Sequence, residues 1–304
     1  MITFFGGEIE MRMIINGYLF ALFTVMMWSL NLIYSKLLAG ILTPSEISFY
    51  RWIIGFFVLL PISWHHIKEN AAILLTNWHF IILMALTGIG FQNWFIYVAG
   101  ETADATTMSL ISVAGPIFLI LLSRQKISIF QTVGVLLAII GVIDIILRGN
   151  IKNLKTFQFV IGDAYMLLSA LMFALYAIVQ KKIPENISPI AILTLAIGAA
   201  AVIFFFPSLP NLKVIHLKQI SKLTMVIIVV LGIFNSALAY LSWDIAIKRN
   251  GAVQTGMMYY TMPIFAVFFA YMLLGEKIYA TQIVGALMVF GGVLLVLFGK
   301  AEKT

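Results

Sequence analysis

The chain has 304 residues, 62 % of them hydrophobic and only 10 % charged, with a net charge of +7 and no cysteine. A soluble domain carries about 25 % charged residues, so a water-soluble globule is excluded, and the missing cysteine rules out disulfides and thiolate chemistry. Most basic residues flank apolar runs, which points to membrane orientation and away from nucleic acid.

Stretches 13–35, 70–100, 105–123, 186–212, 223–243, 250–275 and 278–299 contain no Asp, Glu, Lys or Arg. A helix needs about 20 such residues to cross a hydrocarbon core of roughly 30 Å. With Pro, Gly and charge as punctuation, the sequence predicts an all-α membrane protein with ten transmembrane helices. They are expected at 14–37, 44–64, 78–99, 104–123, 127–147, 160–181, 188–207, 222–246, 251–273 and 278–299. The first run is too long for a signal-peptide core and lacks a small-residue cleavage pattern, so it is expected to stay as a span.

In the first span Trp28, Asn31 and Ser35 are three and four apart and share one helical face. It ends on Lys36, placed to complement the terminal carbonyls, as Lys181 is in the sixth. The second span holds Arg51, roughly 10 Å deep at 1.5 Å per residue. There it snorkels, pairs within the bundle or attracts a substrate carboxylate. The third carries a dense group, Gln92, Asn93, Trp94 and Tyr97, and the sixth carries Tyr176. The eighth has Asn235, Tyr240, Trp243 and Asp244, and the ninth Tyr259 and Tyr260. These polar and aromatic residues are the candidates for a binding cavity, with interhelical hydrogen bonding as the alternative. Asp144 and Asp244 each precede a cation by four residues, Arg148 and Lys248, so a salt bridge at the membrane edge is the competing reading for both.

Pro116 and Pro263 sit in the middle of the fourth and ninth spans. Each is expected to weaken the bond to the carbonyl four residues back, at Ser112 and Tyr259. Such a defect is tolerated where protein or a water-filled cavity covers it, and both a packing kink and a conformational role stay open. Gly134 and Gly141 in the fifth span, like Gly285 and Gly292 in the tenth, are seven apart on one face. Small residues let membrane helices approach closely. These two helices read as scaffold, packed on each other or on a second protomer, which leaves monomer and homodimer open.

The halves repeat. Gly17, Trp28, Lys36 and Pro44 align on Gly162, Phe173, Lys181 and Pro189, and Asn31 on Tyr176. Ala105 and Pro116 align on Ala252 and Pro263, then Gln131, Gly134 and Gly141 on Gln282, Gly285 and Gly292. The expected division is therefore a five-helix unit at 1–149 and its second copy at 150–304. Five is odd, so the second copy lies upside down: two inverted five-helix repeats around a central cavity, with the substrate site near the midplane.

The stretches MWSLNLIYSK (27–36), YYTMPIFAVFFAYMLLGEK (259–277) and QIVGALMVFGGVLLV (282–296), in this order and within a duplicated chain, resemble the EamA-type, ten-helix branch of the drug/metabolite transporter superfamily. That resemblance implies a multi-pass carrier of the cytoplasmic (inner) membrane, with both termini cytoplasmic and a cavity lined mainly by helices 1, 3, 4, 6, 8 and 9. Charge agrees in the short loops: Arg124, Lys126, Lys181, Lys182, Lys248 and Arg249 fall inside, Lys36 and Lys277 outside, although the two longer outer loops are also basic and the overall bias is slight. The smaller four-helix multidrug relatives use a buried glutamate in helix 1. Here that neighbourhood holds Trp28 and its counterpart Phe173, so an amide- and aromatic-lined cavity suits a neutral or zwitterionic metabolite better than a dication.

The expected function is a secondary transporter that moves a small organic metabolite, such as an amino acid, by alternating access. Export is the more frequent role in that family. No GxxxxGK[ST] loop is present to make ATP the direct energy source, and no HExxH pair suggests a metal enzyme. His65, His66 and His216 fall in loops and His79 opens a span, which leaves no buried base for hydrolysis. No cofactor or metal is expected. The partners are a small-molecule substrate and the lipid bilayer. A non-transporting membrane sensor is the alternative reading.

Overall fold

Without water, every backbone N–H and C=O in a spanning segment must be satisfied internally, and helices do this without a partner strand. The computed structural model describes residues 2–103, 105–112, 114–123, 128–147, 150, 152, 160–211, 220–275 and 280–298, and all regular structure among them is helical. Helices are α1 (Ile2–Leu38), α2 (Pro44–Glu69), α3 (Trp78–Gly100), α4 (Ala105–Ser112 and Ala114–Ser123) and α5 (Ile129–Leu147). The second half gives α6 (Ile161–Lys182), α7 (Pro189–Ser208), α8 (Lys222–Asn250), α9 (Ala252–Met257, Met258–Thr261 and Met262–Leu274) and α10 (Ala280–Phe298). Seven helical stretches among the described residues are long and apolar enough to cross a membrane, and shorter apolar helices accompany them. Of the residues used above, Arg124, Lys126, Arg148, His216 and Lys277, and the side chains of Pro116, Ala252 and Gln282, lie outside what is described.

Helix starts follow their local chemistry. Pro44 and Pro189 open α2 and α7, where a missing N–H costs nothing. Thr43 and Glu46 close a capping box, with the Thr43 N–H 2.8 Å from Glu46 Oε2 and the Glu46 N–H 3.3 Å from Thr43 Oγ1. Asp163, fully buried at the head of α6, accepts the Val160 N–H at 2.8 Å, so this acid is a cap. α1 starts at Ile2 and α2 runs on to Glu69, both beyond the expected spans. The added turns of α2 include the i,i+4 pair His65–Glu69 at 3.0 Å.

Two departures from regular helix frame the centre. α3 passes through a π-helical segment at Ala85–Phe91 and α8 through another at Leu231–Leu238, which apolar periodicity does not signal. Such segments recur at functional sites. In α9 the expected mid-helix kink is instead a change of helix type. A 3₁₀ turn at Met258–Thr261 precedes Pro263, which stands in the first turn of the next α-segment. The Tyr259 carbonyl that proline would orphan accepts the N–H of Met262. Pro263→Ala restores a donor that allows one continuous α-helix, turning Tyr259 in the process. Turnover is expected to change more than substrate affinity; wild-type turnover in a flux assay would make the proline a packing residue only.

Packing is symmetric on exchange of the halves. α1 packs on α8 and α9, as α6 packs on α3 and α4, while α2 faces its own counterpart α7 and α5 faces α10. The glycine faces of α5 and α10 meet. A Cβ on Gly141 would lie 2.5 Å from the Gly285 carbonyl oxygen, and one on Gly292 would lie 2.4 Å from that of Gly134. Backbone cannot retreat as a side chain can, so Gly292→Val is expected to destabilise the protein by about 2–3 kcal/mol. A drop in the thermal unfolding temperature in detergent would show this; an unchanged midpoint would refute the close contact.

Candidate substrate site

Arg51 is fully buried at the centre of the bundle. Its Nε donates to Ser236 Oγ at 2.8 Å. Nη1 reaches Asn93 Oδ1 at 2.7 Å, Tyr97 Oη at 2.6 Å and Asn31 Oδ1 at 3.3 Å, and Nη2 reaches the Asn235 carbonyl at 3.3 Å. The guanidinium also lies 4.4 Å from the Trp52 ring centroid. Every oxygen in this shell is neutral. Among the described residues no carboxylate lies within 4.0 Å of Arg51, and the ion pairs found are those of His65 and His66 with Glu69. Arginine cannot shed its proton, so a formal charge stands in the low-dielectric interior without a counter-charge.

Aligned at the offset of 147 that relates Pro116 to Pro263, the π-segments of α3 and α8 coincide. Asn93 then matches Tyr240, and Tyr97 matches Asp244. The counterparts touch: Asn93 Nδ2 donates to Tyr240 Oη at 2.7 Å, and Tyr240 donates to the Gly88 carbonyl at 2.5 Å. In the first half Tyr97 donates to Asn31 at 2.8 Å; in the second Tyr176 donates to Asp244 Oδ1 at 3.4 Å. Asp244, 8 % exposed, also accepts from Gln180 Nε2. The edge salt bridge with Lys248 does not form, because the carboxylate turns across to α6. Asp144 is half-buried. Arg51 has no counterpart charge: the matching position, at the offset of 145 that pairs Asn31 with Tyr176, is Ala196. One half thus offers a cation, bonded to Asn93, and the other a carboxyl group, bonded to Tyr176.

Five rings close the space between the halves. Trp28 lies 5.0 Å from Tyr240, 5.1 Å from Trp243 and 5.7 Å from both Phe173 and Tyr259, measured between centroids. Phe173 and Tyr259 are 4.3 Å apart. Such pairs each add about 0.5–1.5 kcal/mol beyond burial. Beside this plug, the central cavity touched by Trp28, Asn31, Gln92, Asn93, Tyr259 and Ser112 holds about 10 Å³, room for a single water. The space is central as expected but nearly filled, since bulky rings from both halves converge there. On the other side of the plug an open pocket of about 520 Å³ reaches Asp244 and Gln180 from the end of the bundle formed by the 181–189 segment.

Other expected residues fall elsewhere. Trp94 points away from the cavity, one step round the helix from Asn93; its indole N–H bonds Ser45 Oγ at 3.2 Å and its ring packs on Phe91 and Phe95. Tyr260 is buried but lines neither void. Lys36 donates to the Ala103 carbonyl at 2.9 Å and ties α1 to the loop after α3. Lys181 is exposed at the rim of the large pocket. Sequence reasoning missed Ser236, Gln180 and Gly88. A Cβ on Gly88 would lie 2.2 Å from Tyr176 Cγ, so only glycine lets that ring lie against the π-segment. Gln180 was accessible to face arithmetic, one turn beyond Tyr176.

The sequence model of the EamA-like transporter family matches the chain twice, at residues 15–147 and 160–298. The chain is 25 % identical to the uncharacterized transporter YyaM of Bacillus subtilis (strain 168) over 264 residues, 86 % of each chain. It is 24 % identical to an uncharacterized transporter of Clostridium kluyveri over 92 % of each chain. With the WAT1-related protein At5g40210 of Arabidopsis thaliana it shares 23 % over 86 % of this chain and 81 % of the other. A protein of known crystal structure superposes with a TM-score of 0.72 at 15 % identity, over 92 % of this chain and 95 % of its own; that likeness speaks to the fold alone.

Proposed function

This chain belongs to the EamA-like transporter family, and on that premise we propose that it exports a small zwitterionic metabolite of the amino-acid type across the cytoplasmic membrane by alternating access. The observation that carries this reading is the pair of buried ionisable groups without an ion partner, Arg51 in one half and Asp244 in the other. A buried charge without a partner costs several kcal/mol even when neutral oxygens surround it. A ligand carboxylate supplies the counter-charge that Arg51 lacks, and a ligand ammonium supplies the one that an ionised Asp244 lacks. A sugar or nucleobase relieves neither.

Alternating access rests on the two voids and the plug between them. The symmetric packing of the halves supports two inverted copies, at 1–149 and 150–304, as the moving units. Lys181, Lys182, Lys248 and Arg249 ring the end where the large pocket opens, which supports placing that end and both termini in the cytoplasm. The present arrangement is then a state open to the cytoplasm and shut toward the outside.

The test is counterflow of labelled amino acids, nucleobases and sugars in proteoliposomes, after a thermal-shift screen of the same compounds. Amino acids are expected to give both stabilisation and flux. Stabilisation without flux would favour a sensor, and flux of sugars alone would overturn the zwitterion reading.

A further inference from the structure

We infer that the Asn235 carbonyl is a latch opened by a substrate carboxylate: Arg51 holds it now, the carboxylate draws Arg51 away, and α8 then slips by one residue across its π-segment. The inference rests on the zwitterion reading above for its trigger and supplies the step that turns binding into movement.

A π-segment inside an α-helix carries one residue more than regular winding needs. Where the chain returns to i→i+4 bonding, one carbonyl is passed over. In α8 the closing i→i+5 bond runs from the Ala239 N–H to the Phe234 carbonyl, so the carbonyl passed over is that of Asn235. In α3 it runs from the Gln92 N–H to the Thr87 carbonyl, which leaves that of Gly88. Gly88 and Asn235 are counterparts at the same offset of 147. Each of these carbonyls is taken by a side chain of the other half. Tyr240 Oη donates to Gly88 at 2.5 Å, and Arg51 Nη2 and Trp28 Nε1 donate to Asn235 at 3.3 Å and 3.4 Å. The Asn235 side chain adds a bond from Nδ2 to the Met27 carbonyl on α1. A backbone carbonyl freed inside a membrane needs such a donor. The donors that cross between the halves therefore hold both helices in the π form.

The two latches differ in chemistry, one being a phenol and the other a cation. A carboxylate takes two parallel N–H bonds from a guanidinium. Nη1 already serves Asn93, Tyr97 and Asn31, and bidentate pairing also claims Nη2, which now serves the Asn235 carbonyl. The released carbonyl accepts the Ala239 N–H in a regular helical bond, so backbone bonding is kept and only the latch is given up. One residue of slip turns what lies beyond the segment by roughly 100° and shifts it about 1.5 Å along the axis. Tyr240, Trp243 and Asp244 all stand there, so two rings of the plug and the carboxyl group of the site move together. Tyr240 leaves the Gly88 carbonyl in the same step, which frees the second latch and lets α3 follow. A ligand shifts such an equilibrium only through a contact it makes better in one form. Here that contact is the guanidinium, engaged in the π form and free in the α form.

The dipeptide Asn-Ser occurs once in the chain, at 235–236. Labelling Asn carbonyl carbons together with Ser nitrogens therefore gives the purified full-length protein a single NMR cross-peak that reads the Asn235 carbonyl. Deletion of Phe234, an exposed residue of the π-segment, removes the extra residue and fixes the α form. Its cross-peak is expected away from that of the wild type, and its counterflow lower by about tenfold or more, because the helix no longer has two registers. Wild type given a saturating mixture of the common L-amino acids is expected to move to the position of the deletion variant. The matching amino-acid amides, which lack the carboxylate, are expected to leave it in place. Arg51→Met opens the latch with no ligand present and is expected to reach the same position. The proposal is overturned by a peak that stays in place while amino acids stabilise the protein against heat, by one that moves equally with the amides, or by wild-type counterflow in the deletion variant. It is overturned as well if Arg51→Met keeps the wild-type position or moves elsewhere. Should the deletion variant not fold, amino-acid-bound wild type and Arg51→Met must still share one position. If amino acids neither stabilise the protein nor are carried, the zwitterion reading fails, and Arg51→Met against the deletion variant decides the latch alone.

Discussion

Replacing Arg51 by methionine is expected to lower amino-acid counterflow by about 10²-fold, which corresponds to roughly 3 kcal/mol of lost attraction for a carboxylate. Methionine keeps the length and packing of the side chain and removes only the charge and its donors. Stability is expected to change far less, because an isolated buried cation is a cost in the empty protein that its removal lifts, offsetting the lost hydrogen bonds to Ser236, Asn93 and Tyr97. Arg51→Lys retains the charge without the planar fork and is expected to fall between the two. Thermal unfolding in detergent, run beside the flux assay, separates the readings. A large loss of stability with proportional loss of flux would make Arg51 a structural clamp, and unchanged flux would remove it from the site.

Asn93→Ala combined with Tyr240→Ala is expected to bring flux to background while the protein still inserts and folds. The two residues meet across the halves at 2.7 Å and together hold Arg51 Nη1, Gln92 and the Gly88 carbonyl. An interhelical hydrogen bond in a membrane contributes only about 0.6 kcal/mol on average, so the fold outlives its loss. The cavity does not, since Tyr240 is also one of the rings of the plug. Tyr240→Phe alone keeps the ring and is expected to cost about tenfold in flux. Wild-type flux in the double variant would place transport elsewhere in the molecule.

Much of this centre was legible in the sequence because the membrane makes polarity informative. Asn31, Asn93 and Tyr97 stand out in apolar spans, and helical face arithmetic brings them together. The same arithmetic misled at Asp244, where a neighbour four residues on suggested a salt bridge and the carboxylate instead found α6. Trp94 was grouped by adjacency although consecutive residues on a helix point in different directions. Ser236 carries no signal of its own: one serine in a span is ordinary until a buried guanidinium lies 2.8 Å away. The π-segments were invisible because they change backbone hydrogen bonding without changing composition. Pro263 marked the right place for a break, but the local solution is a 3₁₀ turn that leaves no carbonyl exposed. The ordered pairing of the halves leads to the glycine faces that meet on the scaffold, whereas the match of Asn93 to Tyr240 emerges only when the π-segments are aligned.

The absence of native cysteine allows that pairing to be tested with single thiols. Ile41, after α1, and Asn186, after α6, are both exposed and occupy matching positions 145 residues apart in the two copies. In oriented membranes, a thiol reagent that cannot cross the bilayer should label Ile41→Cys only from outside and Asn186→Cys only from the cytoplasm. Labelling of both from the same face would mean that the copies run parallel, and no alternating site could then lie between them.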